Sequence, residues 1–121
     1  MPVVHVRGGE VDRERAADAL PAIARAVAEA TPCALDGVRC TYTTLAHQTI
    51  GARDTTRDGR ILYLDLWARP RGDAPTGAAP PLEADCRAAA DGFGVPVEDV
   101  WGTLRPVASG QVFAGGGLVE G

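Results

Sequence analysis

Asp-Gly-Val-Arg-Cys-Thr, residues 36–41, and Glu-Asp-Val-Trp-Gly-Thr, residues 98–103, are two versions of one phrase set 62 positions apart. Each opens on a carboxylate, places a valine third and ends on threonine, and the spacing is about half of the 121-residue chain. A phrase that returns at that interval implies a unit built twice. Ahead of the first copy, Val3, Val4 and Val6 form a short β-branched run, and the segment from Asp12 to Ala30 carries Ala16, Leu20, Ile23, Ala24 and Val27 at helical spacing. Asp12 suits an N-cap and Thr31-Pro32 a stop, whereas Pro21 removes a backbone donor and is expected to kink the helix or delay its start. Val38 to Leu45 then reads as strand.

The second copy has the same prelude. Ile61 to Trp67 is the most apolar run in the chain, a strand expected in mid-sheet and covered on both faces. After a Gly- and Pro-rich loop from Gly72 to Pro80, the run Pro81–Phe93 has proline where a first helical turn accepts it and Gly92 or Gly94 where a helix ends. Val97 to Leu104 completes the plan as a fourth strand. The fold class is therefore α/β (α+β): a tandem βαβ repeat in one domain spanning 1–121, with pseudo-repeats 2–59 and 60–121. Pairing the halves gives a four-stranded mixed sheet with two helices on one face. The other face is left bare, and a chain this short is expected to bury it, with its edges and Gly-rich tail, against further copies in a symmetric oligomer.

Composition narrows the chemistry. The net charge is −4, with no cluster of basic residues, so no nucleic-acid partner is expected. No run of 18 apolar residues and no basic-then-apolar leader is present, so the protein is expected to be cytoplasmic with no membrane contact. Cys33, Cys40 and Cys86 fit neither a disulfide framework nor a zinc site and read as small buried hydrophobes. His5 and His47 have no carboxylate at ligand spacing, so neither a metal nor another cofactor is expected. All 12 basic residues are arginine, which leaves the N-terminus as the one amine able to do catalysis. Ser109, the only serine, lacks the strand-turn-helix setting of a hydrolase nucleophile. Gly115 to Gly117 lacks the helix of a phosphate loop and reads as a close turn or a subunit contact.

Pro2-Val-Val-His-Val6 opening a strand, a helix, and then the strand of Gly37-Val38-Arg39, all duplicated, resembles the tautomerase superfamily over nearly the whole chain. The first half is similar to a 4-oxalocrotonate tautomerase subunit. The length and second half resemble the fused members, malonate semialdehyde decarboxylase and cis-3-chloroacrylic acid dehalogenase. Ala68-Arg69-Pro70-Arg71 resembles the Arg-Pro-Arg segment that carries both functional arginines of the decarboxylase.

The resemblance implies that Met1 is removed and that Pro2 is the catalytic amine. A secondary amine of ordinary pKa near 8, lowered by apolar walls and arginines, is neutral at pH 7. Neutral, it removes a proton beside a carbonyl or adds to one; protonated, it serves as an acid in hydration. Arg69 and Arg71 are implied to hold a carboxylate, with Pro70 fixing the backbone between them. Arg39 is implied as a further substrate contact, and its place on an expected inner strand demands a carboxylate partner. Asp36 falls beside the decarboxylase's functional aspartate. Trp101, Thr103 and Phe113 are candidate pocket residues. Tautomerisation, decarboxylation and hydration of a small carboxylated compound all stay open, as does an isomerase or cyclase of natural-product assembly. A homotrimer is implied, and a non-catalytic trimeric binding protein is the alternative from another class.

Overall fold

Alternation decides which side of each strand turns inward. In β1 (Val3–Gly8) the buried positions are Val4, Val6 and Gly8, and in β5 (Leu62–Ala68) they are Leu62, Leu64 and Leu66. The computed structural model describes residues 2–31, 33–57, 61–68, 81–108 and 110–119. Helix α1 (Arg13–Ala30) buries Ala19, Ile23, Val27 and Ala30, a stripe with the spacing of one helix face. Helix α2 (Pro81–Phe93) buries Asp85, Ala89, Ala90 and Phe93. Both stripes join the inward valines and leucines in a single cluster. Full burial of a Leu-sized side chain stabilises by about 1.5–3 kcal/mol, so the Leu62, Leu64 and Leu66 row fastens the helices to the sheet.

The sheet order is β2-β1-β5-β6, where β2 is Arg39–Thr44 and β6 is Val100–Pro106. Each half is a parallel pair, β1 with β2 and β5 with β6, and the halves join antiparallel through β1 and β5. This is the mixed four-stranded sheet with two helices on one face that the repeat implies. The repeated phrase itself forms a single-turn 3-10 helix leading into a strand. Val38 N–H donates to the Leu35 carbonyl at 3.0 Å, and Val100 N–H donates to the Val97 carbonyl in the same way. Two short hairpins complete the described chain, β3 (Thr49–Ile50) with β4 (Arg53–Asp54) and β7 (Phe113–Ala114) with β8 (Gly117–Leu118). The turn between β7 and β8 uses Gly115 and Gly116 at φ 63° and 87°, values a glycine adopts without strain. Among the described residues, no helix is long and apolar enough to cross a membrane.

Three local expectations need correction. Pro21 does not delay α1, which starts at Arg13; Pro21 and Ala17 are both exposed, so the Ala17 carbonyl that loses its donor can turn to water. Val97–Asp99 belongs to the 3-10 turn, and β6 starts at Val100 and runs on to Pro106. β5 is central but is covered on one face only, because Tyr63, Asp65 and Trp67 alternate onto the side without helices.

Candidate active site

The side without helices carries three rows of side chains fixed by strand register. Thr43, Arg7, Tyr63 and Trp101 form one row, Thr41, His5, Asp65 and Thr103 the next, and Arg39, Val3, Trp67 and Arg105 the last. Pro2 immediately precedes Val3 and therefore stands at the end of the sheet marked by the Arg39 row. It is buried, and its carbonyl accepts the Arg39 N–H at 3.1 Å. β5 leaves the sheet at the same end, where the Ala68 carbonyl accepts the Val107 N–H at 2.9 Å. Strand geometry thus assembles Pro2, Arg39, Trp67, Ala68 and Arg105 at one sheet end.

Asp65 organises the middle of the face. It accepts hydrogen bonds from the Thr103 hydroxyl and, at 3.0 Å, from Arg7 Nη2, and Arg105 Nε lies 3.6 Å away. The Thr103 hydrogen bond, with the charges of Arg7 and Arg105, holds its carboxyl below the ordinary carboxylate range. His5 shares a 2.9 Å hydrogen bond with Thr41 and meets Trp67 edge-on at 5.9 Å, a structural role on this face. Arg105 also reaches over Trp67, 6.0 Å from the ring centroid. Beside this pair, around the exposed edge of β6, lies a shallow open depression lined by Trp67, Leu104, Arg105, Pro106, Val107 and Gln111.

The sequence-derived candidates distribute unevenly around this end. Arg39 is there, but β2 is an edge strand and Arg39 is exposed, so its guanidinium keeps its water and needs no protein carboxylate. Asp36 is exposed in the 3-10 turn that leads to Arg39. Thr103 serves Asp65. Trp101 lies four residues along β6 from Arg105, about 13 Å at strand spacing, and so belongs to the opposite end of the face. Phe113 is exposed on the β7–β8 hairpin. Arg69, Pro70 and Arg71, like the loop from Gly72 to Pro80, lie outside the described residues; Arg69 follows Ala68 directly in the chain.

Sequence reasoning missed Asp65, Trp67 and Arg105. Treating residues 61–67 as one apolar run hid the alternation of Tyr63, Asp65 and Trp67, which is the signal that separates the two faces. No group of three His, Cys, Asp or Glu side chains among the described residues is disposed to hold a metal. Burial, with the nearby Asp85 carboxylate, pushes the Cys40 and Cys86 thiols up to about 11, so both are protonated at neutral pH and poor nucleophiles.

No family model and no curated protein sequence matches the chain. Solved structures match it closely in shape. An asymmetric trimer of the fused 4-OT F6 superposes with a TM-score of 0.81 at 16% identity, covering 96% of this chain and 94% of that one. A member of the cis-3-chloroacrylic acid dehalogenase family, N1, gives 0.78 at 16%, covering 97% and 82%. The macrophage migration inhibitory factor of Toxoplasma gondii gives 0.73 at 16%, covering 93% and 96%. The chain has the tautomerase fold in its fused, two-βαβ form.

Proposed function

We propose that the protein is a cofactor-independent enzyme in which the Pro2 amine, freed by removal of Met1, acts as base or acid on a small carboxylated carbonyl, enol or unsaturated acid. The observation that carries this reading is the convergence at one sheet end. Pro2 is buried there, and the same end holds Arg39, Arg105 and the point where the chain passes into Arg69-Pro70-Arg71. Burial disfavours the charged form of an amine, as does a guanidinium held beside it, and these are the two effects by which this end of the sheet is proposed to keep the freed Pro2 nitrogen neutral. A guanidinium that pairs with the substrate carboxylate fixes the reacting carbon beside the nitrogen and withdraws electron density from it. Arg69 and Arg71 are assigned this holding role, with Arg39 and Asp36 at the rim. The shared fold supports the assignment. One further structural match, Pt0534, is seen in a form inactivated by 2-oxo-3-pentynoate; it superposes with a TM-score of 0.77 at 17% identity over 97% of this chain and 95% of that one.

The working unit is proposed to be a homotrimer located in the cytoplasm. Trimers are the reported form of three fused 4-OT neighbours, and the helix-free face here exposes Trp67 and Trp101 in a manner that further copies would cover.

Intact mass spectrometry tests the premise, since a mass lower by one methionine is expected. Incubation with 2-oxo-3-pentynoate, an electrophilic 2-oxo acid, should add one reagent mass located on the peptide that begins at Pro2. Retained Met1, or a label located elsewhere, would remove the amine from the mechanism and favour a non-catalytic binding protein.

A further inference from the structure

Among the described residues, Asp85 is the only ionisable side chain in the buried stripe of either helix. It is wholly buried, and neither carboxylate oxygen has a hydrogen-bond partner there. The described elements packed around it bring no cation. α1 and β5 turn only aliphatic side chains toward the core, while Asp65 and Arg105 alternate onto the other side of the sheet. The titratable groups that face this layer are the Cys40 thiol on β2, the Cys86 thiol beside Asp85 on α2, and the Tyr42 phenol, which already donates to the Gly9 carbonyl. Both thiols are weak donors. Arg87, two residues along α2, is exposed and bonded to Glu83 at 3.2 Å. Arg15 of α1 meets the chain at Gly94, past the far end of α2, and Asp91, Glu98 and Asp99 belong to that end also.

The seam that Asp85 occupies is unevenly fastened. Phe93 is the one large apolar side chain that α2 buries, and it lies at the last residue of the helix. The earlier turns are held by Ala89, Ala90 and the partly buried Leu82, with Cys86 set close against Gly102 of the edge strand β6. We propose that Asp85 makes this seam proton-controlled: with its carboxyl protonated α2 stays seated on the sheet, and with the proton lost the early turns of α2 part from β6 about the Phe93 end, so that the carboxylate reaches water. An ionised carboxylate with neither a cation nor a strong donor in reach is costly in an apolar layer, and opening the layer relieves it. The sign follows from burial, which raises the carboxyl from 3.8 to about 7. The closed form holds the proton and the open form releases it, so opening becomes easier as pH rises from about 4 to 7 and changes little above that. The seam is tight in acid and loosened at neutral pH. In the open form β6 loses the helix behind it, while its other face carries the Thr103 and Arg105 contacts to Asp65. None of this depends on the Pro2 amine.

Amide hydrogen exchange on the full chain tests the proposal, read as protection factors so that the intrinsic pH dependence of exchange is removed. In native protein the amides of residues 82–90 should be less protected than those of β1, and they should lose roughly fiftyfold in protection between pH 5 and pH 7 before levelling off. In Asp85→Asn the same amides should show no such fall. Asp85→Leu, an apolar side chain of similar size, repeats the comparison if the buried amide prevents folding. Flat protection in native protein over this range, or an equal fall in the variant that folds, would overturn the proposal. Amides in α2 as well protected as those of β1 at every pH would overturn it too, because Asp85 would then meet water only on global unfolding.

Discussion

Asp65 is where the chemistry of individual residues is most concentrated. A carboxylate that accepts from Thr103 and Arg7 and attracts Arg105 orders three strands at once, β1, β5 and β6. Its carboxyl is held below the ordinary 3.8, first by the Thr103 hydrogen bond. The sign follows from linkage: the folded state binds this proton less readily than the unfolded chain, so the contribution is present above about 4 and is lost as pH falls below it. Asp65→Asn should therefore melt below the native protein at pH 7, with the gap closing toward pH 3, as thermal unfolding followed by circular dichroism would show. A gap of constant size would mean that the charge on Asp65 contributes nothing. Sequence inspection singled out Pro2 and the Arg-Pro-Arg segment because each has a local signature. It passed over Asp65 and Arg105 because their partners come from other strands, and register is not written in any one segment.

Elements meet most tightly where small residues permit it. Gly102 faces the helices from β6, and a Cβ built there would collide with the Cys86 sulfur of α2 and lie 3.2 Å from Leu82 Cδ1. Gly102→Ala should lower stability by about 1–3 kcal/mol, the usual cost of overpacking, and part of the loss should return in a Cys86→Ala background; denaturant titration of the single and double variants measures the coupling. No recovery would place the strain elsewhere. α2 also holds Asp85, fully buried, with neither carboxylate oxygen hydrogen-bonded among the described residues. Burial pushes its carboxyl from 3.8 up to about 7. The folded state keeps this proton while the unfolded chain releases it, so stability falls as pH rises from about 4 to 7, by an amount on the order of 4 kcal/mol when the group is fully ionised. Asp85→Asn should gain stability relative to native protein at pH 8 and lose that advantage by pH 4; a difference independent of pH would contradict the assignment. Both helices were legible from their apolar periodicity. The outward position of Pro21 was not, because a proline's cost depends on whether the freed carbonyl reaches water.

For the whole molecule, the repeat of residues 36–41 at 98–103 was enough to give the sheet, its mixed pairing and its one-sided helices, since each half closes the same unit. The positions that separate a Pro2 end from a Trp101 end were not visible until the antiparallel join of β1 and β5 was known. The helix-free face exposes Trp101 at 67% and Trp67 at 40%, which is costly in water for so small a chain. Self-association through that face should keep the native protein from sedimenting as a 12.5 kDa monomer, and Trp101→Glu should shift it toward that mass. A native monomer at micromolar concentration would contradict this role for the face.

The most direct test of the account is kcat/KM for ketonisation of an enol pyruvate by native protein and by Pro2→Ala. Loss of a positioned acid-base group predicts a fall of roughly 10²–10⁴-fold in the variant with its fold intact; equal rates, or no turnover by either protein, would contradict it.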